Sequence, residues 1–517
     1  MTTRSFAWSS AAAAVILAAC GGSDDSTPAA ATVTADACAA LAGKAIGGAS
    51  ISAAAIVPAA AASGATPAVG SYCKVTAQIA PALNFEVRLP TAWNGKLHYS
   101  GGGGFDGTIP SLDTNSLNLG YVDVSSDSGH QGNALDGSFA TDPQKLDLFA
   151  QLSVPTVAAA AKNIVQTAYS TPPTRSYYEG CSNGGREGLM TALRFPTMFD
   201  GVIAKASAKF ISPIESYKRV ATIFANDPSS VLNAAKLSLL NSSLLTACDS
   251  LDGAADGIIS DVQACHFDVS TLRCPSGTDE GNTCLSDAQI SAVSTLSSAM
   301  VGGAGTPYVT SAAPFQVWGE IGTPGGWGTW LVGNPNATIT GLFAKSVVQS
   351  LLGGDPTANW YSYDFVANTP IVKARADLID VTDPNMIPFK TAGGKLMLWH
   401  GAADPAVPAQ GTIDYYNRVV AAVGGQAAAD GFARIYLAPG VLHCGGGTGA
   451  DQTNAMLPAL DAWVTQNVPP GDLSATRLNP STGATVLSRP LCRFPTFPRY
   501  KGSGDMNDAA NFTCASS

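Results

Sequence analysis

Two short runs carry the residues best able to do chemistry: Gly180-Cys181-Ser182-Asn183-Gly184, a G-x-S-x-G turn, and far downstream His443-Cys444. A serine hydroxyl becomes a nucleophile when an imidazole takes its proton, a carboxylate orients that imidazole and backbone N–H groups meet the oxyanion. Where a strand delivers the serine into a strained turn before a helix, the chain order is Ser, Asp, His. Asp404, in His400-Gly401-Ala402-Ala403-Asp404-Pro405, falls between the two runs as that order demands, with Asp383 and Asp414 as rivals. His443, just beyond Pro439-Gly440, is the expected general base. Of the other four histidines, His98 and His130 flank strand ends, His266 adjoins Cys265, and His400 reads as a packing or loop-orienting residue. The N–H of Asn183 is one expected oxyanion donor. The glycine run Gly101 to Gly104 should supply the other, through Gly102. A phosphate-binding loop is a weak alternative for that run, because no G-K-[ST] follows it.

Elements must hold these residues in place. Asn84 to Leu89 alternates like a strand, and Leu97 to Ser100 reads as a second, followed by the glycine run. Further strands are expected at Gly120 to Val124, at Ser176 to Glu179 running into the serine turn, at Val202 to Ala204, at Gly394 to His400 and at Ala433 to Leu437. Leu146 to Tyr169 and Gly185 to Arg194 suit helices. Strands alternating with helices imply a parallel sheet covered on both faces, hence an α/β fold of the α/β-hydrolase type. The rhythm changes between about residues 209 and 382. One hydrolase domain, 36–208 and 383–517, interrupted by a lid insertion at 209–382, is the simplest organisation for 517 residues.

Arg4 and an apolar stretch ending Leu17-Ala18-Ala19-Cys20 have the layout of an export signal over residues 1–19. Leu-Ala-Ala-Cys resembles the bacterial lipoprotein processing box, which predicts a lipid on Cys20. A flexible tether over 20–35 would follow, placing the protein at the outer membrane, cell surface or periplasm. Acidic residues outnumber basic ones, 38 to 28, which argues against a nucleic-acid partner. Membrane contact is expected through the lipid alone, and a monomer is the default. Setting Cys20 aside leaves ten of the 11 cysteines, an even set suited to an oxidising compartment. Sequence does not fix connectivity. Local neighbours favour Cys38 with Cys73, Cys248 with Cys265, Cys274 with Cys284 and Cys492 with Cys514, leaving Cys181 for Cys444. With no C-x-x-C pair, zinc is not expected.

A second cluster, Asp249-Ser250-Leu251-Asp252-Gly253-Ala254-Ala255-Asp256-Gly257-Ile258, puts three carboxylates on a glycine-bearing loop flanked by Cys248 and Cys265. Its side chains could offer calcium hard oxygen ligands, with the carbonyls of Ala254 and Ile258 completing the shell. A solvated acidic turn is the plainer reading, and the residues alone leave the two level.

Taken together, these runs resemble the tannase and feruloyl esterase family, which includes hydrolases of mono(2-hydroxyethyl) terephthalate. The shared pieces are Trp93-Asn94-Gly95-Lys96, the glycine run, Gly180 through Gly188, Cys248-Asp249 through Asp256-Gly257, His400-Gly401 with Asp404, His443-Cys444, and the tail Arg489-Pro490-Leu491-Cys492 with Tyr500 and Gly502. The resemblance implies an α/β-hydrolase with a lid, a structural calcium ion held at Asp249, Asp252 and Asp256 in that lid, no organic cofactor, and small aromatic esters as substrates. Trp327, Trp330, Leu342 and Phe343 could clamp an aromatic ring, or belong to the core. A substrate with a free carboxylate would favour a lid arginine. The insertion's arginines, Arg219, Arg273 and Arg375, all lie outside the tryptophan-rich segment, where Lys345 is the nearest cation. A hydroxycinnamate or related ester is therefore favoured over a terephthalate monoester or a gallate. A surface lipoprotein that binds aromatic ligands without turnover, and a serine peptidase, are the competing readings.

Overall fold

The computed structural model describes residues 31–298, 317–353, 355–357 and 359–517. The expected export signal, Cys20 and the tether up to residue 30 lie outside the described residues. The strands of the central sheet are β1 (Ala45–Ile46), β2 (Ala49–Val57), β3 (Tyr72–Ile79), β4 (Leu83–Pro90), β5 (Lys96–Ser100), β6 (Val122–Ser126), β7 (Arg175–Cys181), β8 (Gly201–Lys205), β9 (Lys395–Gly401) and β10 (Ala433–Ala438). They stand side by side in the order β1-β2-β3-β4-β6-β5-β7-β8-β9-β10. From β6 to β10 all neighbours are parallel. From β1 to β4, and between β4 and β6, they are antiparallel. The sheet is thus mixed, which corrects the wholly parallel expectation. Only Ala80 to Ala82 separate β3 from β4, a turn far too short for the crossover that parallel pairing needs.

Period-two geometry explains how both faces are filled. Tyr177 and Tyr178 are successive residues of β7, and Val202 and Ile203 of β8, so each pair points to opposite faces. Tyr178 and Val202 join Val157, Ala161 and Ile164 in one core. Tyr177 and Ile203 join Met397, Trp399, Leu460 and Trp463 in another. The first core is roofed by the helix Pro143–Tyr169, long and apolar enough to cross a membrane yet mostly buried against the sheet. The second is covered by the helix Met456–Gln466.

Among the described residues, none between β8 and β9 adds a strand to this sheet. That stretch forms helices, among them Ile214–Asn226, Ala234–Cys248, Ile339–Ser346 and Thr369–Ile379. It is seated by a third core in which Phe105, Phe139 and Phe149 meet Phe210, Val347, Trp360 and Val372. Among the described residues there are five disulfides, Cys38–Cys73, Cys181–Cys444, Cys248–Cys265, Cys274–Cys284 and Cys492–Cys514, the set the spacing favours.

Candidate active site

Ser182 stands between the end of β7 and the helix Asn183–Arg194, with φ 61° and ψ −119°. A serine at positive φ is strained, and its neighbours must hold it there. Two glycines make the room. A Cβ on Gly180 would lie 2.8 Å from the Gly184 Cα, and one on Gly184 would lie 2.7 Å from the Gly102 carbonyl. Backbone hydrogen bonds fix the turn from the β8 side: Ser182 N–H donates to the Lys205 carbonyl, and Ala208 N–H donates to the Ser182 carbonyl, both at 3.0 Å.

Asp404 lies in the turn after β9 and is buried. Its Oδ1 accepts the N–H groups of Ala406 at 2.7 Å and Val407 at 2.9 Å. Its Oδ2 lies 2.7 Å from His443 Nδ1 and 3.1 Å from His400 Nε2. Burial alone would raise the Asp404 carboxyl, but the His443 charge and the bonds from both imidazoles hold it well below the usual range. His443, in the loop after β10, meets the Trp330 ring edge-on at 5.3 Å. With Nδ1 directed to Asp404, His443 has Nε2 left for a proton acceptor's role.

Ser182, His443 and the Cys181–Cys444 link line one largely apolar cavity of about 560 Å³, with Gly101 to Gly104, Ile214, Trp330, Phe343 and Val407 among its walls. Two of the four residues expected to contact substrate are there, Trp330 and Phe343. Trp327 is buried in the core instead. Leu342 is also off the cavity. In the helix Ile339–Ser346 the lining falls on Ile339, Thr340, Phe343 and Ala344, a helical stripe that Leu342 does not share. Lys345 is exposed on the far face, and neither Arg219, Arg273 nor Arg375 reaches the lining. Lys209 does line the cavity, and sequence reasoning missed it. The signal was a lone lysine in the apolar run Ala206-Ser207-Ala208-Lys209-Phe210-Ile211.

The glycine run lies against a buried polar network that was also missed. Asp106 accepts from the Asn183 side chain and from Ser128 Oγ. Ser128 Oγ bonds Glu187 at 2.9 Å, Tyr178 O–H donates to Glu187 at 3.0 Å, and Arg186 Nε donates to Asn183 Oδ1 at 2.6 Å. Burial, then the neighbouring Glu187 charge, raise the Asp106 carboxyl far above its usual range. Gly102 lines the cavity, but its N–H is directed to Glu187 Oε2 at 3.4 Å, whereas the N–H of Gly103 has no partner among the described residues.

The remaining candidates separate cleanly. His98 is buried among Asp113, Asp123 and Glu179. His130 stacks on Phe139 at 3.8 Å, and burial lowers its pKa to about 4. His266 and Asp414 are exposed. In the acidic loop, Asp249 accepts Gly257 N–H at 3.0 Å, Asp252 Oδ1 accepts Ala254 N–H at 2.9 Å, and Asp256 accepts Ile258 N–H at 3.1 Å while pairing with Arg489. Asp252 Oδ2 is buried with no partner among the described residues, and burial lifts that carboxyl to about 6. A buried carboxylate oxygen lacking a donor fits a hard cation.

A profile of the family described as tannase and feruloyl esterase matches residues 66–515. The chain is 31% identical to a mono(2-hydroxyethyl) terephthalate hydrolase of Piscinibacter sakaiensis, over 88% of this chain and 86% of that one. It is 30% identical to feruloyl esterase B of Aspergillus niger, over 86% of each. The crystal structure of feruloyl esterase B from Aspergillus oryzae superposes with a TM-score of 0.81 at 25% identity, covering 93% of this chain and 100% of that one.

Proposed function

The chain belongs to the tannase and feruloyl esterase family and is a carboxylic ester hydrolase of the α/β-hydrolase fold, and on that premise we propose that it cleaves esters of aromatic acids through an acyl-enzyme on Ser182. The observation that carries the proposal is the 2.7 Å bond between Asp404 Oδ2 and His443 Nδ1, beside a cavity that His443 shares with Ser182. Ser182 Oγ attacks the ester carbonyl as His443 Nε2 takes its proton. Asp404 holds the imidazolium in place, and the developing oxyanion is met by the N–H of Asn183 and one from the Gly102–Gly103 segment. His443 returns the proton to the leaving alcohol. Water then repeats the attack on the acyl-enzyme and releases the acid.

The aromatic walls Trp330 and Phe343, in a largely apolar cavity, support a hydroxycinnamate or related aromatic acyl group, with gallate and terephthalate monoesters as the alternatives. Mass spectrometry of enzyme quenched during turnover of a feruloyl ester should find the acyl group on the Ser182 peptide. Undiminished hydrolysis by Ser182→Ala would end the proposal. A binding-only protein would give no product from any ester of a feruloyl, galloyl and terephthaloyl panel.

Calcium is proposed at the carboxylates of Asp249, Asp252 and Asp256 with the carbonyls of Ala254 and Ile258, supported by the partnerless Asp252 oxygen. Bound there, it would hold the loop together. The loop bears on the site through Ile258, which packs in one core with Val441 two residues before His443. Five disulfides suit an oxidising compartment outside the cytoplasm. A lipid on Cys20 is proposed to tether the enzyme there, and the mass of the mature N-terminal peptide decides it.

A further inference from the structure

Resting on the esterase reading above, we propose that Lys209 forms an anion subsite inside the substrate cavity, one that selects esters carrying a carboxylate away from the scissile bond. Lys209 is the only lysine or arginine in the cavity lining among the described residues, and no aspartate or glutamate lines the cavity. Its backbone is pinned from both sides. The N–H of Ala208 donates to the Ser182 carbonyl at 3.0 Å. On the other side, Phe210 N–H at 2.8 Å and Ser212 N–H and O–H at 2.6 Å all donate to the Asp380 carboxylate. The lysine is thus tied through one residue to the proposed nucleophile.

Its ammonium has no ion pair within 4.0 Å to a described residue. Asp380 and Asp414 attract it at longer range and Arg418 opposes it, and burial outweighs them all and lowers its pKa. Asp380 is already engaged by the Phe210, Ile211 and Ser212 donors. A cation held among apolar walls without a close counter-ion is the state a ligand carboxylate relieves. A second polar group points the same way: Thr340 Oγ1 is buried without a partner among the described residues, and Thr340 also lines the cavity. Arg219, Arg273 and Arg375 are absent from the cavity lining, so the cation there comes from the β8 side, as Lys209.

The test compares kcat/KM for the monomethyl ester of terephthalic acid with that for methyl 4-methylbenzoate, the same shape without the charge. A second arm moves the carboxylate to the alcohol half, comparing benzoate esters of 4-hydroxybenzoic acid and of p-cresol, and shows which half of the ester Lys209 meets. Wild type should prefer the charged ester of at least one pair by about 10- to 100-fold, the worth of a charge-assisted hydrogen bond. Lys209→Met should bring that ratio close to one, and Lys209→Arg should retain most of it. A ratio equal in wild type and Lys209→Met overturns the subsite while leaving the esterase reading standing. Turnover of a feruloyl ester by wild type with none of the four esters hydrolysed also overturns the subsite, whereas failure on the feruloyl and galloyl esters as well defeats the aromatic-esterase reading instead. Should Lys209→Met not fold, inhibition of wild type decides: terephthalate must inhibit at about tenfold lower concentration than terephthalamide, and equal inhibition overturns the proposal.

Discussion

Cys181 and Cys444 are joined with their Cα atoms 5.9 Å apart, so one covalent link connects the residue before Ser182 to the residue after His443. The link closes a chain separation of 263 residues. Restricting so long a loop stabilises by about 2–5 kcal/mol, through the entropy of the unfolded chain. Its second effect is local, because it sets the spacing of the two loops that carry Ser182 and His443. Replacing both cysteines with alanine should lower urea stability by that amount. It should also lower kcat/KM of the still-folded protein by about 100-fold, the cost of roughly 1 Å of misplacement. Loss of stability with kcat/KM unchanged would reduce the link to a clamp.

Asp404 serves two imidazoles from one oxygen. His400 Nε2 faces two acceptors, Asp404 Oδ2 at 3.1 Å and the Val407 carbonyl at 2.9 Å, so Nε2 carries the proton. Its Nδ1 is held by Thr412 Oγ1 at 2.7 Å. His400 is therefore a positioning residue for the carboxylate. Asp404→Asn should cut kcat by about 10⁴-fold by favouring the wrong His443 tautomer. His400→Gln should cost about tenfold in kcat with KM little changed, as expected when only orientation is loosened. A larger loss for His400→Gln than for Asp404→Asn would reverse these assignments.

The sequence made Ser182, Asp404 and His443 legible because chain order, flanking glycines and strand patterns all bear on them. β7, β8, β9 and β10 were readable for the same reason, as short apolar runs between turn signals. The β1–β3 edge was not read, since β2 is Ala-rich and half exposed and shows little alternation of residue type. Trp327 and Leu342 went astray because a tryptophan-rich segment does not reveal which side chains face inward. That depends on helical phase, and the phase of Ile339–Ser346 is visible only once the helix is packed. Lys209 and Asp106 escaped because a single charge in an apolar run reads as a surface residue. What makes each matter is a neighbour distant in sequence, Asp380 for the one and Glu187 for the other.

Calcium removal should report on the acidic loop. Ile258 shares a core with Val441, and Thr448 bonds Glu320 at 3.2 Å through its N–H, so the loop bearing His443 leans on residues that lie between β8 and β9 in the chain. Adding calcium to chelator-treated enzyme should raise Tm by an amount that grows with concentration, as binding to the native state requires. At calcium 100 times its Kd the gain is about 2.7 kcal/mol. Asp252→Asn should abolish the response. An equal calcium response in wild type and Asp252→Asn would place the ion elsewhere.

His98 gives the protein a pH signature separate from its chemistry. The ring is fully buried, with Nδ1 3.3 Å from Asp123 and Nε2 3.6 Å from Glu179, and Asp113 at 4.0 Å. Arg88 pairs with Asp123 at 2.7 Å and Lys205 with Glu179 at 2.5 Å, so the carboxylates stay charged around the ring. Burial alone would lower the pKa of His98, but the bond to Asp123 and the nearby carboxylates of Glu179 and Asp113 raise it from 6.5 to about 10. A group whose pKa is raised on folding contributes stability that is fully present below its unfolded value. Here that contribution is complete below 6.5 and lost as pH rises through about 10. Wild-type unfolding free energy should therefore fall with pH across this window, by up to about 1.4 kcal/mol per pH unit for the one proton released. His98→Gln removes the proton and should flatten the slope, so that its deficit against wild type is largest near pH 6 and smallest near pH 10. Urea titrations at pH 6, 8 and 10 measure it, and parallel slopes in the two proteins would show that His98 holds no extra proton in the folded state.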